Sequence, residues 1–169
     1  MYAAYSNAEK PSQNTASGGC SQTLTNGVVT ANTCNTAPEQ AVNYEVGAKW
    51  EVNPDLLLSA AVFRNEQNKV RVASDIAGQP NATLDGKNHV QGVEVGMMGN
   101  ILPQWAITAS AAYMQGKYDQ TKVNGSPTVD QKGDKLVQVP ELSGSLWTTY
   151  NINDQWQVGY GLTYQGKRI

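Results

Sequence analysis

The chain has 169 residues, of which 15% are charged, with a net charge of −2 and a pI near 5.3. That balance argues against a general nucleic-acid binder, which needs a basic surface to meet phosphates. Mean hydropathy is −0.46, and no apolar run reaches the ~18 residues of a spanning helix. A transmembrane β-barrel stays open, because its lipid-facing residues alternate with polar ones and average out in hydropathy.

Residues 1–7 read as the end of a strand, and Met1-Tyr2-Ala3-Ala4-Tyr5 lacks the basic and apolar regions of a signal peptide. With the strand pattern that follows, this leads to the expectation that the chain begins partway through a longer protein. Residues 8–38 are rich in Ser, Thr, Asn, Gly and Gln; such composition builds no core and reads as a long exposed loop. Cys20 and Cys34 both lie in it. A pair closing a short polar loop suits a disulfide formed in an oxidising compartment, the alternative being two unrelated thiols. Neither a zinc nor a Cys-x-x-Cys pattern is present, and His89 is the only histidine.

Period-two alternation begins after Pro38. Over 43–51, Tyr44, Val46, Ala48 and Trp50 share one face, while Asn43, Glu45, Gly47, Lys49 and Glu51 share the other. A return strand is expected over 56–72 with Leu56, Leu58, Ala60 and Val62 outward, then a polar connection over 74–86. Val93, Val95 and Met97 oppose Glu94, Gly96 and Met98 in the next strand. Trp105, Ile107, Ala109, Ala111 and Tyr113 oppose Thr108, Ser110, Ala112 and Met114 in the one after. A second polar loop covers about 119–135. The last two strands set Leu142, Leu146 and Tyr150 against Ser143, Ser145 and Trp147, then Trp156, Val158, Tyr160, Leu162 and Tyr164 against Gln157, Gly159, Gly161 and Thr163. No helix signal of useful length appears.

Three short turns, Asn53-Pro54-Asp55, Pro103-Gln104 and Asn153-Asp154, recur along this pattern, each beside an aromatic: Trp50, Trp105, and Tyr150 with Trp156. The connections at the opposite end are long. Strands of this length, strictly alternating short and long loops, and aromatics at two levels describe an all-β antiparallel meander of about seven long strands, part of a transmembrane barrel. From Trp105 to Tyr113 the rise is roughly 20 Å, near the ~25 Å apolar band between aromatic girdles. A soluble sandwich would stack its apolar faces on one another. Here the other face carries Glu45, Glu51, Glu94 and Lys49, costly in a dry core and ordinary beside a wet lumen. The apolar face is therefore expected to meet lipid, with the short turns on the periplasmic side.

Several segments resemble the later barrel strands of TonB-dependent outer-membrane siderophore receptors of the catecholate type. They are Pro38-Glu39, residues 43–50 (Asn43 to Trp50), Ala61-Val62-Phe63-Arg64, Gln91-Gly92-Val93-Glu94-Val95-Gly96, residues 145–150 (Ser145 to Tyr150) and residues 159–166 (Gly159 to Gly166). The resemblance implies a barrel of about 22 strands in the outer membrane of a Gram-negative bacterium, plugged by an N-terminal domain. Such receptors bind a ferric siderophore with extracellular loops and the plug, and import it with energy delivered by TonB. The plug, the TonB-binding box and the terminal strand are expected outside this sequence, which would supply about strands 13–19 of the full count.

No catalytic constellation is present, since His89 lacks a seryl partner in any recognisable motif, and no resident cofactor or metal is expected. Ferric catecholates are anionic, so cationic and aromatic groups at the extracellular ends are the candidates: Lys69, Arg71, Lys87, His89, Lys117, Tyr118, Lys135, Lys167 and Arg168. For each, the plain alternative is a solvated loop-base charge or one paired with lipopolysaccharide. Two further readings remain: a passive porin-like barrel, which usually sets clustered acids against arginines, and a soluble sandwich binding module. Only Arg64 and Arg71 precede Arg168.

Overall fold

The computed structural model describes residues 1–10, 22–25, 28–32, 38–73, 82–121 and 131–168. The alternation becomes one antiparallel sheet of seven strands: β1 (Tyr2–Lys10), β4 (Glu39–Asn53), β5 (Leu56–Ala73), β6 (Ala82–Leu102), β7 (Trp105–Gln120), β8 (Leu142–Asn153) and β9 (Trp156–Gln165). Each strand lies beside its successor, with β1 next to β4. Between these two, in the stretch read as an uninterrupted loop, β2 (Gln22–Thr25) and β3 (Val28–Asn32) form a separate two-stranded sheet. β1 itself continues to Lys10, and β6 starts at Ala82, inside the expected 74–86 connection. Cys20 and Cys34 lie outside the described residues.

Between register shifts that fall near the strand ends, the pairing carries the apolar parity across the sheet. Ala48 faces Ala60, Ala60 faces Val95, Val95 faces Ala111 and Ala111 faces Gly144. One step nearer the short turns, Trp50, Leu58, Met97, Ala109, Leu146 and Leu162 form the next row. The polar parity is equally continuous, in the row Lys49, Ser59, Gly96, Ser110, Ser145 and Thr163. A slip of one residue in any pair would have put one strand's oily set on the wrong face.

This sheet has no second layer among the described residues. Ala61 is the one buried apolar residue there, while Val46, Trp50, Val62, Val95, Leu162 and Tyr164 are each more than half exposed. The face expected to touch lipid is thus uncovered by protein, and the stacked interior of a sandwich is absent from the described residues.

Turn chemistry explains why the short ends are short. The Asp55 amide donates to Asn53 Oδ1 (2.9 Å), and the Gln155 and Trp156 amides both donate to Asn153 Oδ1 (2.9 Å each). In each case an Asn side chain replaces a backbone acceptor and closes the chain reversal. Gly99 completes this end. Its φ is +137°, and a Cβ there would lie 1.9 Å from the Asp55 carbonyl oxygen, beside the bond from the Asn100 amide to that same oxygen (2.7 Å). On the neighbouring strand pair, Trp105 Nε1 donates to Thr148 Oγ1 (2.7 Å), whose hydroxyl donates to the Ala106 carbonyl (2.9 Å).

Two substitutions in the protein that carries this wall test the assignment of faces. In lipid vesicles, Val95→Arg on the apolar face is expected to destabilise by about 2–4 kcal/mol, and Thr163→Arg on the polar face by under ~1 kcal/mol. Denaturant unfolding in vesicles reads both, and the reverse ranking would exchange lipid and lumen. Gly99→Ala is expected to cost about 2–3 kcal/mol from backbone strain and overlap with the turn, visible as a lower temperature of barrel unfolding.

Candidate ligand-binding end of the sheet

The apolar face changes character at a fixed height. Beyond the row Val46, Val62, Val93 and Tyr113, the same parity continues as Tyr44, Arg64, Gln91 and Gln115, then Val42, Glu66, His89 and Lys117. The Arg64 guanidinium meets Glu66 at 2.6 Å and Gln91 at 2.8 Å. His89 Nδ1 lies 2.7 Å from Asp119 Oδ2, and His89 is only 8% exposed. The strands therefore run on past the oily band as a charged wall, at the end opposite the short turns.

The residues singled out from sequence spread over this end rather than forming one group. Lys69 sits at a register shift in β5 with φ 58°. Lys87 is exposed on β6, and the side chain of Arg71 lies outside the described residues. His89 is held by Asp119, and Tyr118 is fixed through its backbone, donating to Asp134 (3.0 Å) and accepting from Gly133 (2.8 Å). Arg168 donates to Gln165 on its own strand end. Lys117, Lys135 and Lys167 do come together.

Their meeting place is made by an excursion of the chain beside β7. Lys135 bridges to Lys117, the Leu136 amide donates to Gly116 O (2.9 Å), and the Met114 amide donates to Glu141 O (2.9 Å). Two positions of β7 are thus spanned by the six residues 136–141, so the surplus must leave the ladder. Gln138 takes a φ of 65° to do so. The displaced segment lies over Gly116, where a Cβ would come within 2.8 Å of Leu136 and 3.2 Å of Val139. A cavity of about 380 Å³ results. Its lining combines Met114, Gly116, Leu136 and Val139 with Lys117, Lys135, Lys167 and Glu141. Leu136, Val139 and Glu141 were not candidates in the sequence; Pro140, close before β8, was the available sign of a ladder interruption.

Lys135 Nζ pairs with Glu141. The Glu141 carboxylate, through its hydrogen bond first and its charge second, holds the Lys135 ammonium above its ordinary 10.5. The sign follows from linkage: a raised lysine value adds stability in full below the ordinary value and loses it as pH rises through the raised one. The pair therefore persists across physiological pH.

A larger concavity of about 640 Å³ lies along the polar parity, lined among others by Tyr2, Lys49, Glu94, Ser110, Ser145 and Thr163. There the Tyr2 hydroxyl donates to Glu45 (2.5 Å), Lys49 Nζ stands 5.9 Å from the Tyr2 ring centre, and the Ser110 and Ser145 hydroxyls pair at 2.8 Å. Polar side chains on this face thus satisfy one another across strands. Among the described residues no cluster of His, Cys, Asp and Glu could hold a metal ion.

A single-layer meander with an oily face, a polar face and long connections at one end is a barrel wall, and comparison with known proteins decides which kind. The family model "TonB dependent receptor-like, beta-barrel" matches residues 1–169. The chain belongs to the TonB-dependent receptor β-barrel family. It is 32% identical over 145 residues to the probable TonB-dependent siderophore receptor PiuA of Acinetobacter baumannii, covering 82% of this chain and 19% of PiuA. It is likewise 32% identical over 142 residues to the catecholate siderophore receptor Fiu of Escherichia coli K12, covering 80% of this chain and 17% of Fiu. The solved structure of Fiu in a closed form matches with a TM-score of 0.72 at 27% identity, over 96% of this chain and 22% of that one. The outer-membrane receptor FauA of Bordetella pertussis matches with a TM-score of 0.62 at 26% identity, over 98% and 26%. The chain spans about a fifth of the length of the curated relatives it matches. TonB-dependent receptors are outer-membrane β-barrel proteins, and the all-strand meander fits that family.

The Lys135–Glu141 pair predicts the behaviour of the excursion. Glu141→Gln is expected to free the 136–141 segment, so that the Leu136 amide exchanges its hydrogen several-fold faster at neutral pH while β7 amides below Met114 keep their protection. Equal exchange in both proteins would show that the pair does not hold the segment.

Proposed function

We propose that this chain is a sector of the barrel of a ferric-siderophore receptor, importing its ligand across the outer membrane with energy supplied by TonB. The observation that carries the reading is the likeness, over four-fifths of the chain, to receptors named for siderophores, one of them for catecholates. The physical features agree with it. The apolar rows face lipid and the charged rows above them face the lipopolysaccharide headgroups. The polar parity faces a lumen filled by an N-terminal plug, through which TonB acts. The connection from β1 to β4 is extracellular, stapled by a Cys20–Cys34 disulfide. The polar inner wall, with its Ser110–Ser145 and Tyr2–Glu45 pairs, offers such a plug hydrogen-bonding partners rather than a dry core.

A passive porin-like barrel would share the wall but not the energy requirement, and growth separates the two. The full receptor, placed in a Gram-negative strain stripped of its own catecholate receptors, is expected to restore growth on a ferric catecholate under iron starvation. Deleting TonB should abolish that growth. Growth that persists without TonB would sink the active-transport reading in favour of diffusion. The staple is checked separately: mass spectrometry of the exported protein should show the mass deficit of an intact Cys20–Cys34 bridge, and two alkylatable thiols would remove it.

A further inference from the structure

Clean alternation fails at one height near the short turns, where apolar residues follow one another along the strands. Leu56-Leu57-Leu58, Met97-Met98 and Leu146-Trp147 put an oily side chain on both faces at once. The ladder joins their inner members into one row, pairing Leu57 with Met98, Met98 with Thr108, and Thr108 with Trp147. Met98 and Trp147 are each 57% exposed, and Leu57 is half-buried. One step farther from the turns the same face carries Ser59, Gly96, Ser110 and Ser145, small and polar, along the concavity of about 640 Å³. Consecutive apolar residues mark a strand covered on both sides, whereas a strand with one face in water alternates. Lipid covers one side. Among the described residues no second layer covers the other. The Trp147 ring lies against Gly159 and Gly161, which accounts for one of its two faces and for neither Met98 nor Leu57.

We propose that the Leu57–Met98–Trp147 row is an apolar seat for the N-terminal domain that fills the lumen, holding an apolar strip of that domain just inside the periplasmic turns. The inference rests on the siderophore-receptor reading, which supplies a lumen-filling domain, and adds where this wall grips it. The chain spans about a fifth of the curated relatives it matches, so receptors of that length have ample chain to cover the row. A lumen left to water would keep three large apolar side chains wet. A ligand in transit would cover them only in passing. The wall therefore has two zones, a dry grip near the turns and a recessed polar stretch above it, where Ser59, Ser110 and Ser145 are too short to grip. A pull applied from the periplasmic side loads the grip first, so this row sets how firmly the domain resists leaving the wall.

The test uses the full receptor in planar lipid bilayers, with conductance read while urea is raised on the periplasmic side. Urea loosens a domain in the aqueous lumen before a barrel embedded in lipid, so the onset of conductance reports how firmly the lumen is filled. Leu57→Gln with Met98→Gln, which keep side-chain length and remove apolar character, is expected to raise conductance about tenfold at the urea concentration where the wild type first opens, as the loss of two apolar contacts would. The barrel's own unfolding temperature, read by heat-dependent gel mobility, is expected to stay unchanged, which separates a loosened domain from a damaged wall. Should the double variant weaken the barrel itself, Met98→Gln alone, expected to give about a threefold rise, is measured in the same way. Ser59→Ala, one row above, is expected to leave the onset where it is. An unchanged onset in the double variant overturns the seat while leaving a siderophore receptor standing. An equal shift from Ser59→Ala also overturns it, because the whole face and not this row would then hold the domain. Weaker binding of a ferric catecholate at an unchanged onset would assign the row to the path of the ligand instead. A wild-type receptor that conducts freely without urea has no lumen-filling domain, which removes the functional reading and the seat with it.

Discussion

Every other feature depends on the sheet being one layer thick. A β-sheet satisfies its backbone internally only through neighbouring strands, and a membrane permits such a sheet only where those neighbours close the ladder. Side chains then have just two destinations. In this chain the parity is kept through all seven strands of the main sheet, and the oily set remains uncovered, with Ala61 the lone buried apolar residue among those described. In water such a face would aggregate. In acyl chains it is already in its preferred solvent, and no core is needed.

That constraint also explains a hydropathy that looks soluble. Half of each strand must be polar because it faces the interior of the barrel, so the average is low although one face within the membrane band is oily. The polar half is organised rather than merely tolerated: Ser110 with Ser145 and Tyr2 with Glu45 are cross-strand or diagonal neighbours that absorb each other's hydrogen-bonding capacity. Trp147 shows the same economy. It belongs to the polar parity, yet its ring lies over Gly161 and Gly159 of β9, covering backbone that glycine leaves bare.

What was legible in the sequence is what period two and turn chemistry encode. The faces from Tyr44 to Tyr164, the three short turns and the onset of β4, β5, β7, β8 and β9 follow from alternation and from Asn and Pro at the reversals. What was not legible depends on partners distant in sequence. The β6 segment that begins at Ala82 has no clean alternation, and is a strand because Val72 and Ala73 offer it a ladder. The β2–β3 pair sits in composition that reads as loop, where neighbouring backbone rather than apolar content makes the pairing. The cavity beside β7 was hidden for a related reason. Lys117, Lys135 and Lys167 are each ordinary loop-base lysines in sequence, and only the mismatch between two β7 positions and six residues of the returning chain brings them together.

The height at which the apolar parity turns charged bears on how far the wall extends beyond the membrane. Arg64, Gln91 and Gln115 lie one step beyond Val62, Val93 and Tyr113 on the same strands, so the wall does not end where the oily band does. β5, β6 and β7 run to Ala73, Ala82 and Gln120, carrying Lys87, His89 and Lys117 on ladder-bonded backbone instead of on free loops. Groups on strands keep their geometry better than groups on connections. The His89–Asp119 pair, with the imidazole buried and the carboxylate exposed, ties β6 to β7 at that level. At the long-connection end Lys87 and Lys117 are therefore presented by strands, with Lys135 and Lys167 added beside them on less regular backbone.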